Sequence, residues 1–291
     1  MRWDNDGADW PNRDHSQFVD SRPHRWHAQT MGLNGPVLLL LHGTGGATHS
    51  WRDLMPDLAR DYRVVAPDLP GHGFTALGSR HRSSLPAMAE DTWHLCNTMG
   101  VQPDVIVGHS AGAAIAFAMA QSRPGPHIIG LNAALGAFEG PPAWLFPIMA
   151  RALASFPLVP NLFSRIATST GGVDRLLDAT GSILDPTGRR LYSRLVGNPS
   201  HVEGALEMMA RWSTRSVRDR IKTMETPATL IVGDRDGTVP PSVSRDIAAE
   251  NPNVSYVSLG PYGHLAHEEA PAETADAIRS IIFASAPATE R

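Results

Sequence analysis

A serine hydroxyl is a weak nucleophile at neutral pH, and it attacks readily only where a histidine can take its proton and a carboxylate can orient that histidine. The sequence holds one stretch with the right form for such a serine, Gly108-His109-Ser110-Ala111-Gly112. It follows the apolar run Val105-Ile106-Val107 and precedes a run of mostly small residues at 113–120. Buried strand, tight turn and helix in that order make a nucleophile elbow. The serine sits at the strained tip, and its neighbours two before and two after must lack bulk. The pattern G-x-S-x-G is common by itself, so its weight comes from context.

Elbow enzymes of this topology carry their partners in the order Ser, acid, His. Gly233-Asp234-Arg235-Asp236-Gly237 follows the apolar run 228–232, and Gly263-His264 follows the run 254–259. Both therefore lie at the C-terminal ends of predicted strands, where open α/β sheets place their sites. Asp234 and Asp236 compete for the acid, unless each only caps a turn; Asp236 is favoured because it lies further out on the loop. The position after the predicted strand 128–131 could also hold an acid, but it carries Asn132, and Glu139 is remote. Among 13 histidines, closeness to a loop means little. His264 is preferred to His267 because it stands between a glycine and a helix start, whereas His267-Glu268-Glu269 reads as the solvated face of a first helical turn. The oxyanion formed on attack needs preorganised donors. The backbone N–H groups of Ala111 and of Thr44, in His42-Gly43-Thr44-Gly45-Gly46, are the candidates, with His42 fixing the loop.

The elements that would position these residues follow from hydrophobic periodicity. Residues 1–20 read as an extended arm pinned by Trp3 and Trp10. An edge hairpin strand is predicted near 22–30, and buried strands at 36–41 and 62–66. Helices are predicted at 51–60, 84–99, 243–250 and 272–284. From 136 to 226 the strand-helix alternation gives way to helical, proline-punctuated sequence rich in Trp, Phe, Leu and Met, which reads as a cap over the sheet. The expected organisation is an arm at 1–21, a core at 22–135 and 227–291, and a cap at 136–226. Trp144 and Phe163 are the candidate substrate-binding residues, because large rigid rings suit a flat apolar ligand; the plainer alternative is that they only pack the cap.

Other chemistries fit poorly. With 25 basic and 29 acidic residues, a net charge of −4, one lysine and no charged block, nothing recommends a nucleic-acid partner. Gly43-x-Gly45 imitates a dinucleotide fingerprint, but Thr48 stands where the third glycine belongs. His264-x-x-His267-Glu268 matches no zinc-protease order, so neither metal nor cofactor is expected. The single cysteine, Cys96, suits a reducing compartment and reads as core. The first 20 residues lack an apolar signal core, and no apolar run of about eighteen residues occurs, so a cytoplasmic location is expected, compatible with peripheral membrane association.

The His42 loop, the turn Asp68-Leu69-Pro70-Gly71-His72-Gly73, the elbow, the Asp236 loop and Gly263-His264 with Glu269 and Pro271 beyond it together resemble the α/β-hydrolase superfamily over residues 22–285. The resemblance implies a mostly parallel central sheet flanked by helices with an inserted helical cap, and a serine hydrolase using Ser110, Asp236 and His264. Dehalogenase or epoxide hydrolase chemistry is disfavoured, since it needs a carboxylate where Ser110 stands; a C–C hydrolase, lactonase or haloperoxidase-like activity stays open. Further runs, among them Asp9-Trp10-Pro11-Asn12-Arg13, His49-Ser50-Trp51-Arg52-Asp53 and Gly130-Leu131-Asn132-Ala133-Ala134-Leu135, resemble the magnesium-chelatase accessory family of bacteriochlorophyll biosynthesis. That narrower likeness implies a role in photosynthetic tetrapyrrole metabolism near magnesium insertion, with a small apolar substrate or tetrapyrrole as ligand and magnesium chelatase as partner. Its alternative to hydrolysis is a non-catalytic accessory or porphyrin-binding role.

Overall fold

A strand made wholly of apolar residues must be covered on both faces, and β3 (Val37–Leu41) is such a strand. The other strands are β1 (Ser16–Ser21), β2 (His24–Met31), β4 (Arg63–Pro67), β5 (Val105–His109), β6 (His127–Leu131), β7 (Ala228–Gly233) and β8 (Val254–Gly260). The computed structural model describes residues 1–136, 159–169 and 171–285. Its sheet has eight strands in the order β1-β2-β4-β3-β5-β6-β7-β8. Pairing is parallel from β4 to β8, while β1 and β2 are antiparallel additions at one edge.

Among the described residues the α-helices are α1 (Trp3–Asp6), α2 (Leu54–Leu58), α3 (Leu85–Thr98), α4 (Ala111–Ser122), α5 (Val159–Ser169), α6 (Gly172–Asp178), α7 (Pro186–Val196), α8 (Pro199–Arg211), α9 (Arg215–Ile221), α10 (Pro241–Glu250), α11 (Ala266–Glu269) and α12 (Pro271–Ser285). Alternate strand residues point to opposite faces. Leu39, Leu41, Ile106 and Ile128 accordingly pack with Met88 of α3 and Phe117 of α4. Leu38, Leu40, Val107 and Ile129 pack on the other side with Leu54 of α2 and Ile278 of α12. Cys96 lies in the first of these layers, where burial pushes its thiol up to about 12.

Helices α5 to α9 run between β6 and β7. Two of them start at strong caps: Asp185 accepts from the Gly188 N–H ahead of Pro186, and Asn198 accepts from Ser200 and His201 ahead of Pro199. Leu177, Leu191, Tyr192 and Leu195 form a third cluster with Trp10, Phe74 and Leu265, so the N-terminal arm is packed against these helices. The arm differs from the expected extended segment. It opens with α1 and ends as β1, because residues 16–21 are the missing partner of the predicted hairpin. The helix expected at 51–60 is also shorter: a 3-10 turn at Thr48–Trp51 precedes α2.

Candidate active site

Ser110 joins β5 to α4 with φ 51° and ψ −114°. A non-glycine residue in this region is strained by about 1–3 kcal/mol and needs its surroundings to hold it. They do. The Ser110 N–H donates to the Leu131 carbonyl at 2.9 Å, and the Ser110 carbonyl accepts from the N–H groups of Ala113 and Ala134 at 3.1 Å each. The flanking glycines follow from close backbone contact. A Cβ on Gly112 would lie 2.0 Å from the Leu41 oxygen, and one on Gly108 would lie 2.4 Å from the Ala113 nitrogen.

Asp236 and His264 meet across the ends of β7 and β8: His264 Nδ1 lies 2.8 Å from Asp236 Oδ2. A carboxylate can only accept, so this nitrogen carries the proton and Nε2 is left as an acceptor. The Asp236 carboxylate takes three further donors, Asn132 Nδ2 at 2.8 Å on Oδ2 and the N–H groups of Thr238 and Val239 at 2.8 Å each on Oδ1. Burial works to raise its pKa, but the His264 contact, Val239 and Asn132 outweigh burial, and the group lies below the usual carboxylate value. Asp234 is instead exposed, accepting from the Ser258 hydroxyl at 2.8 Å. The Asp236 and His264 loops share one support: the Thr180 carbonyl accepts from both Gly237 N–H and His264 N–H, at 3.0 Å each.

In the loop after β3, Leu69 N–H donates to His42 Nε2 at 2.9 Å, which leaves the proton on Nδ1 to donate to the Gly43 carbonyl at 2.8 Å. Gly46 N–H reaches the same carbonyl at 3.0 Å. The C=O and N–H of a trans peptide point in opposite directions. Pinning the Gly43 carbonyl therefore aims the Thr44 N–H the other way. The loop and Ser110 are adjacent, since a Cβ on Gly43 would come within 3.0 Å of Ser110 Cβ. Ala111, the other candidate donor, opens α4 directly after the serine.

His267 and Glu268 do not form the solvated face expected of them. Both are buried, at 1% and 7% exposure, because Ser50, Arg52 and Tyr192 cover them. Trp144 lies outside the described residues, as does the side chain of Phe163, which is on α5. Three site neighbours were missed. Asn132 could have been found from its place at the alternative acid position. His109 Nε2 donates to the His264 carbonyl at 2.9 Å, and its place inside the elbow was a signal. His201 on α8 accepts from Gly73 N–H at 3.1 Å and donates through Nε2 to the Gly45 carbonyl at 3.1 Å, and nothing local marked it among the histidines. Burial, ahead of the His264 charge, lowers His109 to about 3, and burial lowers His201 to about 4. Among the described residues no cluster of His, Cys, Asp and Glu could hold a metal ion, and no helix is long and apolar enough to cross a membrane.

An elbow serine, an Asp–His pair at the ends of the last two strands and a mostly parallel sheet define a class, and residues 36–271 match the alpha/beta hydrolase fold family: the chain belongs to it. The chain is 42% identical over 264 residues to the magnesium-chelatase 30 kDa subunit (BchO) of Rhodobacter capsulatus, covering 90% of this chain and 93% of that protein. It is also 28% identical over 256 residues to the pyrrolizixenacetamide deacetylase of Xenorhabdus hominickii, covering 86% and 91% of the two chains. Among solved structures, an alpha/beta hydrolase fold protein from Burkholderia ambifaria superposes with a TM-score of 0.73 at 21% identity, covering 91% of this chain and 100% of that one. A bromoperoxidase from Bacillus anthracis superposes at 0.72 and 16% identity, covering 92% and 99%. These two likenesses speak to the fold alone.

Proposed function

We propose that the chain is a serine hydrolase that cleaves an ester or related acyl bond, and that its substrate is a large apolar molecule of the tetrapyrrole class, handled near magnesium insertion. The observations that carry the hydrolase reading are the buried Asp236–His264 contact of 2.8 Å and a serine held at positive φ directly after His109, whose ring lies against His264. In this reading His264 Nε2 takes the Ser110 proton as Oγ attacks the acyl carbon, and Asp236 stabilises the imidazolium. The N–H groups of Ala111 and Thr44 receive the oxyanion. His264 then protonates the leaving oxygen, and the same base activates the water that releases the acyl group from Ser110. The tetrapyrrole part rests on the relative named as a magnesium-chelatase subunit, and the acyl-bond part is supported by the deacetylase.

The 42% identical relative also favours a second reading, an accessory that holds a porphyrin or touches the chelatase without turnover. One experiment separates the two. The purified protein is treated with a fluorophosphonate probe and assayed on short acyl esters, beside Ser110→Ala. Labelling at Ser110, with turnover lost by on the order of a million-fold in the variant, is expected for the hydrolase. An unlabelled wild type without esterase activity would leave the accessory reading.

A further inference from the structure

Behind the base lies a buried polar chain that the catalytic reading does not use. Glu268 Oε1 accepts from the Ser50 hydroxyl at 2.6 Å and from the Tyr192 hydroxyl at 2.7 Å, and Oε2 accepts from Arg52 Nη1 at 2.5 Å. Ser50 has one proton, and it goes to Glu268. Its contact with His267 Nε2, at 2.8 Å, must then be donated by the imidazole. The tautomer and ring plane of His267 are thereby set. That ring lies against His109 at 4.4 Å between centroids, and His109 lies against His264 at 4.8 Å while donating to the His264 carbonyl.

We propose that His267 is a positioning residue for the base: the chain Glu268–Ser50–His267 fixes its ring, which backs His109, which holds the backbone and ring of His264 in place. The proposal rests on His264 being the base of the hydrolase reading. The same carboxylate ties the region to the helices between β6 and β7, through Tyr192 of α7 and through Arg52, whose Nη2 reaches Asp185 at 2.9 Å. The two arms are separable. Ser50→Ala breaks the arm to His267 and leaves Tyr192 and Arg52 on Glu268. Tyr192→Phe breaks the helix tie and leaves the arm to His267. His267→Phe keeps an aromatic ring in the stack and removes its N–H.

The test compares kcat and KM on a short acyl ester, the pH profile of kcat/KM, and the far-downfield proton resonance of the Asp236–His264 hydrogen bond. Misplacing a reacting group by about 1 Å costs on the order of a hundredfold. Ser50→Ala and His267→Phe are expected to lower kcat by about that factor with KM little changed, to displace the pH profile and to move or broaden the resonance. Tyr192→Phe is expected to lower the melting temperature with a nearly wild-type resonance. If both Ser50→Ala and His267→Phe keep the wild-type resonance, the chain is packing and the inference falls. The resonance does not depend on turnover. A wild type neither labelled by the fluorophosphonate nor active on esters would therefore refute the hydrolase reading by itself, while an unmoved resonance would refute the positioning chain by itself.

Discussion

Asp236→Asn changes one atom, and the hydrogen bonds around it dictate how the site must respond. Oδ1 accepts from Thr238 and Val239 N–H, so the amide oxygen has to stay there, and the new NH2 group takes the place of Oδ2. At that place it meets two donors, His264 Nδ1–H and the Asn132 amide, each at 2.8 Å. The imidazole can relieve its clash only by moving its proton to Nε2, the nitrogen that must accept the serine proton. A triad histidine in the wrong tautomer loses on the order of ten thousand-fold in kcat. That factor corresponds to about 5 kcal/mol of barrier at 1.36 kcal/mol per tenfold. Steady-state hydrolysis of a chromogenic acyl ester measures the loss, with fluorophosphonate labelling rate as a check that needs no turnover. The control is Asp234→Asn, expected within a few-fold of wild type because its carboxylate is exposed and accepts from Ser258 rather than from His264. Adding Asn132→Asp to the first variant returns an anion beside the Oδ2 position, at a residue whose φ of 46° an aspartate accepts, and should recover part of the lost rate. Equal losses at the two aspartates, or a larger loss at Asp234, would refute the assignment of the acid.

Gly112→Ala should destabilise the protein by about 3 kcal/mol, because its methyl would lie 2.0 Å from the Leu41 carbonyl, and urea unfolding with an unchanged midpoint would contradict the close packing of elbow on β3. The neutral buried histidines predict acid sensitivity. With His109 at about 3 and His201 at about 4, both below the unfolded value of about 6.5, the unfolded chain binds protons first, so stability is full above about pH 6.5 and falls as pH drops toward those values. Each group contributes at most about 1.4 kcal/mol per pH unit, and a melting temperature that is flat from pH 7 to 5 would show that these rings do not stay neutral. Protoporphyrin or its magnesium complex, at about a hundred times its dissociation constant, should add about 2.7 kcal/mol to wild-type stability, with Trp144→Ala and Phe163→Ala weakening the effect. No ligand-dependent shift in wild type would remove the tetrapyrrole part of the proposed function.

Much of the site could be read from sequence because its parts are local. The Gly-x-Ser-x-Gly turn is written in five adjacent residues, although the Leu41 backbone that excludes a side chain at Gly112 is brought there by the sheet. The continuous apolar runs at β3 and β5 announce strands covered on both sides, and those covered strands carry the site loops at their ends. The separation of Asp236 from Asp234 was partly visible, as one residue further along a loop, but its cause is tertiary. Asp236 is buried because Asn132 and His264, 104 and 28 residues away, converge on it. His267 shows the limit most clearly. Two glutamates follow it in sequence, which describes a solvated turn, and its neighbours in space are Ser50, 217 residues earlier, and the rings of Trp51 and His109. Likewise nothing beside His201 in the chain points to the Gly45 carbonyl it holds, 156 residues away. Backbone geometry depends on the residue and its immediate neighbours, so the elbow is written locally, whereas burial and hydrogen-bond partnership depend on which distant segments the packed sheet brings over a side chain.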